Sequence, residues 1–162
     1  MRKVNEYWRN RGVPHTVNQV QLSLLSQLPL ESGLLDECAD LGITPIGYSP
    51  LALGVLSGKY SADGALPEGP RGLIFKALLP SCAPLLGVLR EIAEVRGVSM
   101  SAVAINWAMS KGTLVIVGMK TPAQVADNLQ ALTFSLSGAE VDELERAAAK
   151  AKKATQNIFQ TA

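Results

Sequence analysis

The sequence has one histidine, two cysteines and few aromatic residues, 5% of 162. His15 has no second ligand beside it, so no metal centre is expected. Cys38 and Cys82 stand in neither a metal-ligand nor a redox spacing. A disulfide framework is not expected, and a reducing compartment suits two structural thiols. Charge is scarce too: 18% of residues are charged and the net charge is +1. That leaves no electrostatic case for nucleic acid or a membrane surface as partner. Lys150, Lys152 and Lys153 read as a solvated helix end. No apolar run is read as reaching the ~20 residues that span a bilayer. Residues 1–12 carry Glu6 and lack both serine and an apolar core, so they do not read as a targeting segment. There is no low-complexity tract and no short repeat. The remaining composition, 48% hydrophobic, suits one folded domain with its own core.

Hydrophobic periodicity alternates between helix and strand. Val4, Tyr7, Trp8 and Arg11 recur at helical spacing and predict an amphipathic helix that Gly12 ends. Thr16 to Leu22 is a strand candidate. Residues 32–41 form a helix with Leu34, Leu35 and Cys38 on one face, stopped by Gly42. Ile43 to Tyr48 is short and almost wholly apolar, as parallel strands buried on both faces are. Residues 49–80 are rich in glycine and proline and read as a long irregular segment, a length that is usually functional. Two helices follow, one with Leu85, Leu89 and Ile92, the next capped by Ser99 or Ser101 and lined by Val103 and Trp107. Leu114 to Val117 is a third strand and Thr121 to Leu132 a helix. The last helix opens at Ser137 with Glu140 three residues on, a capping box. From about Lys153 the tail is expected to be irregular. Strands separated by helices imply parallel pairing. Three strands are few for a free-standing parallel sheet, so the pattern reads as a piece of a larger α/β structure.

Four clusters could carry chemistry. Asn18-Gln19 sits in a strand, where a buried amide needs partners from backbone or ligand. Tyr48 ends a strand and is either a core ring or a stacking platform for a flat heterocycle. Ser49, Leu51, Leu53 and Gly54, with Lys59 and Arg71, form either a surface loop or a phosphate-binding one. Gly118-Met119-Lys120-Thr121 turns from strand into helix, with Thr121 as cap and Pro122 at the first position. Free amides there and the Lys120 charge suit phosphate. Gln124, Asp127 and Asn128, about one turn apart, could read a base, or Thr121 and Gln124 form only a capping box.

Taken together, Asn18 to Gln21, Gly47 to Leu51 through Gly58-Lys59-Tyr60, Gly69-Pro70-Arg71, Ala104 to Trp107 and Gly118 to Asn128 resemble the C-terminal half of aldo-keto reductases. The order and spacing agree over nearly the whole chain. The Gln21-to-Leu25 run, Pro67 to Arg71 and the tail Thr155 to Thr161 resemble a plastid subgroup of plants and algae that reduces pyridoxal. The resemblance implies strands six to eight, with their helices, of a TIM (β/α)8 barrel. It implies NADPH across the mouth of that barrel, where such folds place their sites. Gln19 would then bond the nicotinamide amide and Tyr48 would stack on its ring. Ser49, Pro50, Leu51, Leu53 and Gly54 would line the pyrophosphate, with Lys59 and Arg71 on the phosphates. Gly118 and Lys120 would hold the adenosine phosphate end, and Gln124, Asp127 and Asn128 would face the adenine. The family often has arginine or serine near Lys120 and glutamate for Asp127, which leaves the 2′-phosphate preference open.

The family moves a hydride from NADPH to a carbonyl, with a tyrosine as general acid. That tyrosine and its aspartate, lysine and histidine partners belong to the first half of the barrel. None of Tyr48, Tyr60, Lys59 and His15 matches them, so no catalytic residue is assigned. The expected function is a carbonyl reductase present as its cofactor-binding half, acting on a small carbonyl compound once completed, in chloroplast or cytoplasm. The other reading is a non-catalytic half-barrel that binds a nucleotide or a partner chain. An open sheet of this kind is also expected to self-associate.

Overall fold

The computed structural model describes residues 1–151 apart from 63 and 65. Three parallel strands lie in the order of the sequence: β1 (Val17–Gln21), β2 (Thr44–Tyr48) and β3 (Leu114–Ile116). α1 (Arg2–Arg9) precedes the sheet, α2 (Leu28–Glu31) and α3 (Leu34–Leu41) connect β1 to β2, α4 (Pro70–Arg96) and α5 (Met100–Ser110) connect β2 to β3, and α6 (Pro122–Leu129) and α7 (Gly138–Ala149) follow it. The expected parallel α/β arrangement is therefore present. Local end signals act as the sequence implies. Gly42 closes α3 in a left-handed conformation, and Ser99 caps α5 through the Ala102 amide. Ser137 and Glu140 form both halves of a capping box on α7. The short α2 was not among the expected elements. The helix after Thr121 ends at Leu129 and tightens into a 3-10 turn over Gln130–Leu132. The irregular tail expected from 153 lies outside the described residues.

The largest departure is α4. It begins at Pro70, so the irregular stretch expected over 49–80 ends at Gly69 and itself contains a 3-10 turn, Ala52–Ser57. Pro70 suits a first helical position, whose amide has no partner anyway. Pro80 and Pro84 sit inside the helix and are exposed. Each removes one helical bond, on the side where water reaches the freed carbonyl. Against that loss α4 buries Phe75, Leu78, Leu79, Cys82, Leu85, Leu86, Leu89, Ile92 and Ala93. The reading of apolar runs is also corrected here. An 18-residue window of α4 reaches a mean hydropathy of 1.8, enough by length and composition to cross a membrane. Of that window 39% is buried, on the side where α4 packs on α5 and α7.

The sheet has two unlike faces. Leu22, Pro45, Gly47 and Thr113 are buried on one side, and Val20 and Val115 pack against the core there. The other side is open: Val17 is 49% exposed, Leu114 60% and Ile116 47%. Pairing puts Gln19, Ile46 and Leu114 in one row of that open face and Gln21, Tyr48 and Ile116 in the next. The stripe expected on α1 is equally bare. Val4, Tyr7 and Trp8 are exposed and Asn5 is the buried residue. Instead α1 is tied to α3 by charge: Arg2 Nε lies 3.3 Å from Glu37 and Arg2 Nη2 3.1 Å from Asp40.

Two polar clamps hold the helices together. Asn106, buried on α5, donates from Nδ2 to the carbonyls of Ala131 (2.9 Å) and Phe134 (2.8 Å). Its Oδ1 accepts from the Leu136 amide at 3.1 Å. On the far side Arg96 at the end of α4 makes a two-pronged bond to Glu140, at 2.8 and 2.5 Å, and stacks over Phe134. The Arg96 bond, with the Ser137 amide and hydroxyl, lowers the Glu140 carboxyl from its ordinary 4.5 to about 2. Its stabilising contribution is complete above 4.5 and disappears as pH falls through about 2. We expect stability to decline over that interval by on the order of 1–2 kcal/mol from this group, after solvent screening. Glu140→Gln should flatten the slope of urea-unfolding free energy against pH between 4.5 and 2; an unchanged slope refutes the assignment.

Candidate functional site

Functional side chains are delivered where the strands end. β2 runs into Tyr48, half-buried on the open face, and then into a loop with unusual backbone. Ser49, Ala52 and Leu53 all have left-handed φ, at 56°, 47° and 58°, followed by Gly54 at 97°. For residues with a Cβ this costs roughly 1–2 kcal/mol each. The loop is held in place from beneath: Pro50, Ala52, Val55 and Leu56 are buried. Above them the Ala52 amide bonds the Ser49 carbonyl, and the Gly54 and Leu56 amides both bond that of Leu51. Backbone of alternating handedness can gather amides around an anion; here the amides of Ala52, Gly54 and Leu56 are bonded within the loop. Gly54 was the expected conformational device. The three non-glycine residues were not, because nothing in a serine, alanine or leucine marks it as left-handed.

β3 leads to the second arm of the site. Gly118 and Lys120 are exposed. Gly118 is not among the left-handed residues and has open space around it. Thr121 Oγ1 accepts from the Gln124 amide at 3.2 Å, and Gln124 Oε1 accepts from the Lys120 amide at 2.7 Å. Thr121 therefore caps α6, but the Gln124 side chain bonds the Lys120 amide and not that of Thr121, so the reciprocal capping box is not formed. Gln124, Asp127 and Asn128 all lie on α6 and are graded in burial: Gln124 is exposed, Asp127 half-buried and Asn128 only 9% exposed. Beside them a surface groove of about 530 Å³ runs along Met119, Lys120, Pro122, Val125 and Leu129.

On β1 the sequence reading is displaced by one row. Gln19 is exposed and Asn18 half-buried, so neither is the sequestered amide it was taken for. That amide is Gln21, 7% exposed, whose Oε1 has no hydrogen-bond partner. The signal that could have found it is the two-residue repeat: Gln21 shares the face of Gln19 and stands level with Tyr48. Lys59 and Arg71 are both exposed, Lys59 near the Tyr60 ring at 5.3 Å and Arg71 on the first turn of α4. Cys38 and Cys82 are buried, and burial pushes both thiols up, away from reactivity. Among the described residues, no group of three His, Cys, Asp or Glu side chains is placed to hold a metal.

Comparison with known proteins agrees with this geometry. The sequence profile of the aldo/keto reductase family matches residues 1–149. The chloroplastic pyridoxal reductase of Arabidopsis thaliana is 49% identical over 160 residues, which cover 98% of this chain and 44% of that protein. The L-glyceraldehyde 3-phosphate reductase of Escherichia coli K12 is 33% identical over 156 residues, 87% of this chain and 44% of that one. Among solved structures, a glycerol dehydrogenase from Gluconobacter oxydans superposes with a TM-score of 0.74 at 23% identity, over 88% of this chain and 45% of that one. The chain thus spans less than half the length of these relatives. A family match that runs through to the end of α7, on a parallel sheet that superposes on a solved reductase-type fold, places this chain in the aldo/keto reductase family.

Proposed function

We propose that the chain is the NADPH-binding wall of an aldo-keto reductase, equivalent to strands six to eight of a (β/α)8 barrel. The supporting observation is the row Gln21–Tyr48–Ile116 on the open sheet face, level with the start of the left-handed loop. A barrel interior is lined by such a face, and its ligands sit at the strand ends. The residues fit the cofactor in kind. The unpartnered Gln21 oxygen and the exposed Gln19 suit a carboxamide, and the half-buried Tyr48 ring suits a nicotinamide face. The backbone of Ser49, Leu51, Leu53 and Gly54 suits a pyrophosphate, with Pro50 packed beneath it and Lys59 and Arg71 free to neutralise charge. Gly118, Lys120, Gln124, Asp127 and Asn128 border the adenosine end.

When bound, NADPH supplies a hydride that a carbonyl carbon accepts. This chain's part is to fix the ring that carries it: Tyr48 holds one face, the amides hold the edge, and the loop anchors the phosphates. The proton for the carbonyl oxygen comes from a group outside the described residues. Similarity to the Arabidopsis protein makes pyridoxal the first substrate to test and the chloroplast the first location.

A second reading is a half-barrel that only joins a partner or another copy, supported by the bare Val17, Leu114 and Ile116. Titrating the purified chain with NADPH and following nicotinamide fluorescence separates the two. The cofactor reading expects half-saturation below about 1 mM. No response at that concentration leaves the structural subunit.

A further inference from the structure

We propose that Gln21 contacts the carboxamide of the bound nicotinamide, as a second amide beside Gln19; this rests on the NADPH reading above. Gln21 is more than nine-tenths buried, yet its Oε1 has no partner among the described residues. A buried carbonyl oxygen without a donor is a net cost in the unloaded protein, and a ligand N–H removes that cost. Most buried amides are satisfied, so an unsatisfied one at the end of a strand points to a donor that arrives later.

Position agrees with this. Gln21 is the last residue of β1 and pairs with Tyr48, the last residue of β2. Neighbouring strands lie about 4.8 Å apart, so the amide stands one strand from the ring that would carry the nicotinamide. Gln19 lies two residues lower on the same face, about 6.6 Å further from the mouth. The pair offers two amides at two heights. A primary carboxamide has an oxygen to accept from one and an NH2 to donate to the other. A half-turn about the last side-chain torsion exchanges the Gln21 oxygen and nitrogen, so either end can face the ligand. The chemistry specified is that of a flat ring bearing a primary amide. A nucleotide that ends at the phosphates lacks the group Gln21 would bind.

This separates stability from affinity. Gln21→Met keeps the length of the side chain and removes its polar atoms. The unloaded variant should melt at the same temperature as the parent or higher, because the unsatisfied oxygen has gone. Its affinity for NADPH should fall about tenfold, the size of one or two lost hydrogen bonds. Affinity for adenosine 2′,5′-bisphosphate, which has no nicotinamide, should be unchanged. Gln21→Leu is measured beside it to control for packing. Equal NADPH affinity in parent and variants overturns the proposal, as does an equal loss for both ligands. So does a fall of more than about 5 °C in the unloaded melting temperature of both variants, which would mean the amide is bonded within the protein. NADPH affinity that is the same with and without Gln21 overturns this inference alone, whereas a parent that binds the bisphosphate but not NADPH overturns the NADPH reading with it. A parent that binds neither removes the NADPH reading as well.

Discussion

Replacing Asn106 by alanine is expected to lower the unfolding free energy by about 3 kcal/mol. The side chain uses three of its hydrogen-bonding positions at once, to Ala131, Phe134 and Leu136. These partners belong to the segment that leaves α6 and enters α7. Without Asn106, two carbonyls and one amide next to the core lose their bonds, and each orphaned group costs about 1 kcal/mol or more. Asn106→Leu fills the space and should still cost most of that amount, which separates lost bonding from lost volume. Urea unfolding measures both variants. A loss under 1 kcal/mol for alanine would mean that water replaces the clamp. Hydrogen exchange should localise the effect, since amides of residues 130–137 would lose protection before those of α4.

The second large effect is expected at Gly47, in the middle of the central strand. A Cβ built there would lie 3.2 Å from Thr113 Oγ1 and 3.6 Å from Leu22 Cβ. The Thr113 hydroxyl cannot simply swing aside, because it donates to the Ala108 carbonyl at 2.8 Å and so ties the start of β3 to the end of α5. Gly47→Ala should cost about 1 kcal/mol, since its single carbon is tight but nearly accommodated. Gly47→Val adds two more methyls to a closed space and should cost about 2–3 kcal/mol. Because Tyr48 is the next residue, valine should also shift the ring and weaken NADPH binding. Thermal melts and the fluorescence titration report the two effects separately. A valine variant as stable as the parent would show that the sheet and α5 separate easily, against the packing described.

How much of this was legible in the sequence depends on how local each cause is. The capping box of Ser137 and Glu140, the Thr121 cap and the Gly42 stop were legible because their partners lie within four residues. The three strands were legible as short segments between helices, although only the second was read as almost wholly apolar. The start of α4 was not, because the glycine- and proline-rich composition of 49–80 reads as irregular, while the nine side chains that hold the helix are satisfied by α5 and α7, far along the chain. The left-handed Ser49, Ala52 and Leu53 were hidden for the same reason: buried neighbours impose the conformation, and residue type does not signal it. The site shows this on the smallest scale. Gln19 and Gln21 are chemically identical and two residues apart, but only height along the strand makes one exposed and the other sequestered. Family resemblance supplied the roles, and the fold supplies only where along strand and loop those residues lie.

The apolar face of α4 has a consequence for the order of synthesis. α4 is complete at Arg96, α5 follows almost at once, but α7 begins only at Gly138. At typical elongation rates of about 5–20 residues per second, roughly 3–11 s pass before the last of its covering helices has been made. For that interval the ribosome carries a long greasy helix with one side unwrapped. Chaperones that recognise apolar segments have their best target here, ahead of any cofactor and ahead of the finished sheet.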